Sequence, residues 1–123
     1  MAIFGIGIDL VKVERIRQAM ERHPDRFRGR IFAPSEVAFC ETLKDKYPSY
    51  AGRFAAKEAF SKALGTGLRG AIAWNEVEVL DNERTRPLLR LHGRAAEILG
   101  ARRNHLSISH LDDYATAVVI IED

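Results

Sequence analysis

A chain of 123 residues with 46% hydrophobic side chains can bury one modest core and not two. Its net charge of only +2 argues against a nucleic-acid partner, and its lone cysteine, Cys40, excludes an internal disulfide and a cysteine-built zinc site. The apolar opening run, Met1 to Val11, is about half a membrane span, carries Asp9 and lacks a basic leader, so a cytoplasmic chain with no signal peptide or membrane anchor is expected.

Ile3, Gly5, Gly7 and Asp9 alternate with Phe4, Ile6, Ile8 and Leu10, which predicts a strand with glycines on one face and Asp9 at or just past its end. Val13, Ile16 and Met20 then recur at helical spacing until His23 and Pro24 stop the pattern, giving an amphipathic helix with a basic outer face. A second helix is expected from Pro34, with Val37, Cys40 and Leu43 on one stripe, ending before Tyr47 and Pro48. From Tyr50 to Leu64 apolar groups fall almost all round a helix, the mark of a buried central one, and Gly65 closes it. Strands are predicted from Trp74 to Leu80, with Val77 and Val79 inward and Glu76 and Glu78 outward, and from Pro87 to His92. Asp81, Asn82 and Glu83 mark the turn between them. A short helix from Arg94 to Leu99 stops at Gly100, and two last strands, His105 to Ser109 and Tyr114 to Ile121, form a hairpin. The expected architecture is a single α+β domain over residues 1–123, a mostly antiparallel sheet packed against helices, one of them buried.

Four sets of residues can carry chemistry. Glu58 and Lys62 stand four apart on the central helix. On so apolar a helix they must pair, bind a ligand or reach solvent through a cleft, and a plain ion pair between them is the simplest reading. Asp9 alone reads as a helix cap, but with Glu58 it offers two hard oxygen ligands from different elements, the way proteins usually hold Mg²⁺ against phosphates. Gly65-Thr66-Gly67-Leu68-Arg69-Gly70 has dinucleotide-fingerprint spacing yet follows a helix instead of opening one, so that reading fails. Its backbone amides, beside Lys62, can still approach phosphates. Ser107-Ile108-Ser109-His110 sets two hydroxyls on one strand face and an imidazole at its end; without nucleophile-elbow glycines, anion binding suits it better than hydrolase chemistry. Between Lys12 and Arg30, finally, seven basic residues face three acidic ones, an excess of +4 that is either a solvated surface or an attraction for an anionic partner.

Three segments resemble one family, the holo-acyl carrier protein synthases, the short members of the phosphopantetheinyl transferase superfamily. They are Gly5-Ile6-Gly7-Ile8-Asp9-Leu10-Val11, the run from Arg53 through Lys57, Glu58 and Lys62 to Gly67, and Ser107-Ile108-Ser109-His110. The resemblance implies transfer of 4′-phosphopantetheine from coenzyme A to a serine of acyl carrier protein, with adenosine 3′,5′-bisphosphate leaving, a step of fatty acid biosynthesis. It implies that Asp9 and Glu58 hold Mg²⁺, that Lys62 neutralises the pyrophosphate, and that Arg53, Gly65, Ser109 and His110 contact the co-substrate. The two-lobed relatives have a third acidic ligand where this chain has Val11. Because they draw the acidic set and the Ser-x-Ser-His segment from different halves, a homotrimer with sites at subunit interfaces is implied here. Arg15, Arg22, Arg26 and Arg28 would then receive the acidic carrier protein. The competing expectation is a non-catalytic basic module that docks an acidic protein through residues 12–30; it leaves Asp9, Glu58 and Lys62 unexplained.

Overall fold

In the computed structural model, which describes residues 2–65, 72–81 and 86–123, five strands and five helices are arranged as two antiparallel sheets and a helical layer. The larger sheet has the order β1 (Ile3–Lys12), β5 (Tyr114–Glu122), β4 (Arg103–His110), with β5 in the middle. The smaller pairs β2 (Val77–Leu80) with β3 (Leu88–Leu91). Between β1 and β2 run four helices: α1 (Val13–Arg22), α2 (Pro24–Ile31), α3 (Pro34–Cys40) and α4 (Tyr47–Leu64). A fifth, α5 (Gly93–Leu99), links β3 to β4.

The central helix is α4, and its packing on β1 and β5 organises the rest. Ala51, Ala55, Ala56, Ala59 and Phe60 are all fully buried. Small side chains let the helix come close, and the glycines of β1 complete the fit. A Cβ at Gly5 would stand 1.9 Å from the Ala63 carbonyl oxygen, and one at Gly7 the same distance from that of Ala59. Both obstacles are backbone, so only glycine serves at either position. At its far end α4 closes on Gly65, whose φ of +87° is the left-handed conformation of a helix C-terminus.

The structure differs from the pattern reading in several places. β1 continues two residues past Leu10 because β5 pairs with it as far as Lys12–Tyr114, so Asp9 lies inside the strand opposite Ala117 and caps no helix. Pro24 does not end helical structure but opens α2, and Pro48 likewise sits in the first turn of α4; proline fits there because those N–H groups lack helical partners anyway. Helix α3 stops at Cys40, short of Leu43. Trp74–Glu76 is a 3-10 turn, tied by the Glu76 carboxylate to the amides of Ala73 and Arg94 at 2.8 Å each. Glu78, expected outward, is buried and bonded to Ser35 and His92. Burial would raise its carboxyl, but those two partners outweigh it and hold the group below the usual range. Of the expected turn, Asn82 and Glu83 lie outside the described residues, as does the glycine-rich loop beyond Gly65.

Candidate active site

Because successive side chains of a strand alternate faces, Asp9 follows Gly5 and Gly7 onto the side of β1 that α4 covers. There it meets Lys62, whose ammonium donates to Asp9 Oδ1 at 3.1 Å and to the Ile8 carbonyl at 3.0 Å. Lys62 therefore reaches across to the strand. Its side chain is half exposed while that of Asp9 is 16% exposed, so the pair opens to solvent on the lysine side and is worth at most about 1 kcal/mol to the fold. Glu58 lies one turn earlier on the same helix face, half-buried, its carbonyl accepting the Ser61 hydroxyl at 2.8 Å. Thr116 Oγ1 donates to the Asp9 carbonyl at 2.8 Å and fixes the strand beneath the carboxylate.

Arg53 is not part of this group. Nine residues before Lys62, it lies about half a turn round the helix from it. Its side chain is buried, donating to Ser49 Oγ and the Asp81 carbonyl at 2.6 Å each, with the guanidinium 4.9 Å from the Phe39 ring. Only Nε is without a partner. Nor do Ser109 and Asp9 share a face. Asp9 aligns through Ala117 with Ile108 on the covered side of the sheet, whereas Ser109 aligns through Thr116 with Leu10, and Ser107 through Val118 with Ile8, on the open side. His110 ends β4 and is exposed.

The open side of the sheet is strongly apolar. Ile6, Ile8 and Leu10 are 59%, 64% and 66% exposed. On α1, Val13, Ile16 and Met20 are buried, which turns the charged residues outward. Arg17 is taken by Glu14, and Arg28 by Asp25, Glu41 and the Pro24 carbonyl. Arg15, Arg22 and Arg26 are exposed and make no hydrogen bond or ion pair among the described residues.

Sequence reasoning passed over one conspicuous set. Lys57, adjacent to Glu58, is fully buried and bonded to Glu36 Oε1 at 2.8 Å, the Trp74 carbonyl at 3.3 Å and the Val77 carbonyl. Its signal was a lysine in a helix apolar almost all round, where the ammonium cannot reach water.

Among known proteins, the chain matches the 4′-phosphopantetheinyl transferase superfamily over residues 5–119. It is 48% identical to the holo-[acyl-carrier-protein] synthase of Koribacter versatilis, covering 98% of this chain and 99% of the relative. It superposes on the crystal structure of the Neisseria meningitidis holo-[acyl-carrier-protein] synthase with a TM-score of 0.87 at 35% identity, over 99% of this chain and all of the other. The Bacillus anthracis enzyme, solved in complex with CoA (3′,5′-ADP), matches with a TM-score of 0.81 at 36% identity, over 97% and 96% of the two chains.

Proposed function

The chain belongs to the holo-[acyl-carrier-protein] synthases of the 4′-phosphopantetheinyl transferase superfamily, which transfer phosphopantetheine from coenzyme A to apo-acyl carrier protein, and we propose that Asp9, Glu58 and Lys62 are the residues with which it does so. The observation that carries the assignment is the 3.1 Å contact between Lys62 and Asp9, which joins two elements and sets Glu58 one turn away.

Two carboxylates on separate elements, beside a half-exposed ammonium, fit Mg²⁺, which takes the rest of its shell from water and phosphate oxygens. Asp9 from β1 and Glu58 from α4 would hold the ion. Bound there, it would neutralise charge on the pyrophosphate. Lys62 needs only to leave the Ile8 carbonyl to bond a phosphate oxygen and stabilise the charge that grows as the phosphorus–oxygen bond breaks. The carrier's serine oxygen forms the new bond to the β-phosphorus, its proton passes to a carboxylate of the pair, and adenosine 3′,5′-bisphosphate leaves.

Ser109 and His110 are proposed to contact the nucleotide of a site on a neighbouring copy. What supports this is that Ser109 lies on the open face of the sheet, away from Asp9, where the apolar strip calls for cover, and that the exposed His110 ends the same strand, beside it. A trimer is the assembly proposed, with Gly65, at the end of α4, near the phosphates. Exposed Arg15, Arg22 and Arg26 on and after α1, which begins four residues beyond Asp9, are proposed to receive the acidic carrier protein, and Arg28 to brace that surface through Glu41. Among the described residues no helix is long and apolar enough to cross a membrane, and action on a carrier protein suits the cytoplasm.

Incubating apo-acyl carrier protein with this protein, coenzyme A and Mg²⁺ should add one phosphopantetheine by mass spectrometry. Omitting the protein or adding excess EDTA should abolish the gain; a gain that survives EDTA would remove the metal assignment.

A further inference from the structure

On the glycine face of β1 backbone meets backbone, and the polar contact that face makes with α4, Asp9 to Lys62, is half open to solvent and is itself part of the reacting centre. On the opposite side of α4 lies the only charged pair among the described residues with both members fully buried, Lys57 with Glu36. All three donors of the ammonium and both oxygens of the carboxylate are bonded. Lys57 takes Glu36 and the carbonyls of Trp74 and Val77; Glu36 takes, besides Lys57, the amides of Ala33 at 2.7 Å and Val79 at 3.0 Å. One ion pair thus fastens α4 to the start of α3, to the 3-10 turn and to β2.

Such a pair is a poor source of stability, because desolvation costs most of what attraction returns. Burial in fact pulls the Lys57 ammonium below the ordinary lysine range, against the pull of Glu36. What the pair supplies is direction. Lys57 sits about 140° round the helix from Lys62 and immediately precedes Glu58. A roll of about 10° would carry a group about 6 Å from the axis through about 1 Å, enough to cost roughly a hundredfold in rate at a reacting centre.

We propose that the Lys57–Glu36 pair is a positioning device that sets the roll of α4 and thereby the placement of Glu58 and Lys62 against Asp9. This rests on the assignment of those three residues to the reacting centre.

Lys57→Met keeps an unbranched side chain, one atom shorter, and removes the charge. In the folded variant kcat should fall about a hundredfold, while the KM for carrier protein stays within about twofold, since α1 is untouched. Mn²⁺ binding to the enzyme–coenzyme A complex, followed by electron paramagnetic resonance, should weaken about tenfold without any turnover being measured. Val79→Ala thins the same wall of the core and leaves the pair's side chains in place. At a matched loss of melting temperature it should keep kcat within about threefold. A folded Lys57→Met enzyme with near-normal kcat and Mn²⁺ binding overturns the proposal, as does an equal loss in Val79→Ala. If Lys57→Met does not fold, Glu36→Gln preserves shape and should lower kcat about tenfold at unchanged KM. Normal kcat there, or failure of both variants to fold, assigns the pair to stability alone and also overturns it. Glu58→Gln and Lys62→Ala run in parallel separate the two levels: full activity in them removes the reacting centre itself, and the positioning role with it. If they are inactive while Lys57→Met is active, only the positioning role falls.

Discussion

The two faces of β1 reverse the ordinary rule for what a strand buries. From Gly5 to Leu10 the covered face holds Gly5, Gly7 and Asp9, the least apolar residues of that stretch, while Ile6, Ile8 and Leu10 point away from the helices and are about 60% exposed; only at Val11 does a buried apolar side chain return to the covered face. The covered face works by what it lacks. Without side chains at Gly5 and Gly7, α4 comes close enough for Lys62 to reach Asp9. The open face works by what it offers, an apolar strip that continues onto Val118 and Ile120 of β5 and that another copy of the chain could cover. A polar group can therefore sit beneath the helix because hydrophobic contact is made elsewhere on α4, and the apolar surface left open is the one that the proposed assembly would cover.

Gly7, Ile8 and Asp9 are consecutive, so the contrast predicts three different failures from neighbouring substitutions. The largest is Gly7→Val. Its Cβ would collide with the Ala59 carbonyl, and helix and strand would have to part, at a cost of about 3 kcal/mol or more seen in urea or thermal unfolding. Gly29, in α2 with nothing within 4 Å of an added Cβ, is the control: Gly29→Ala should leave stability unchanged or raise it by up to about 1 kcal/mol.

Next comes Asp9→Asn, isosteric and neutral. It should lower kcat about 100- to 1,000-fold while the melting temperature moves by only a few degrees, because the ion pair that Asp9 forms with Lys62 is open to solvent. A variant that unfolds instead would make Asp9 structural and erase the distinction drawn from Gly7.

Ile8→Glu should leave a folded chain that fails to assemble. Sedimentation would show smaller species, and activity should fall at least tenfold at concentrations where the parent is assembled. Mixing Asp9→Ala with His110→Ala subunits, each inactive alone, should restore part of the activity. Mixed assemblies that stay dead would return each site to a single chain.

Much of this was legible in the residues, and the exceptions share a cause. Periodicity located every strand within a few residues and found α1 and the core of α4, because a half-buried surface repeats. It missed α2, whose apolar residues Phe27 and Ile31 are too few to set a period, and it took Pro24 and Pro48 for stops where they are first-turn residues. Asp9 was misplaced to a strand end, since only the partner strand β5 decides where β1 stops. Glu36 and Glu78 left no mark in the pattern, and Lys57 only that of a lysine in a helix apolar almost all round. Each is a charged residue inside, and what makes burial tolerable is a partner 14 to 43 positions away. Arg53 is another charged residue inside that the pattern did not place there, bonded to Ser49 and Asp81 and beside the Phe39 ring.

The smallest expected effect tests the outer face of α1, where the distinction between covered and open surfaces repeats. Val13, Ile16 and Met20 fill the core, so Arg15 has no inward role, and it pairs with no carboxylate among the described residues, whereas Arg17 is held by Glu14. Arg15→Glu should therefore leave the melting temperature within about 1 °C and raise the KM for the carrier protein roughly tenfold, with little change in that for coenzyme A. Charges on an interface rim act mainly on encounter, and at physiological salt they are screened beyond about 8 Å, so the defect should shrink as NaCl rises. Arg17→Glu separates contact from field. It changes the net charge of the helix equally but also breaks a bond to Glu14, so it should lower stability slightly and cost the carrier less than Arg15→Glu does. Equal KM effects from the two would mean that the carrier senses the +4 excess of the segment and not a particular arginine; no effect from either would take α1 out of the docking surface.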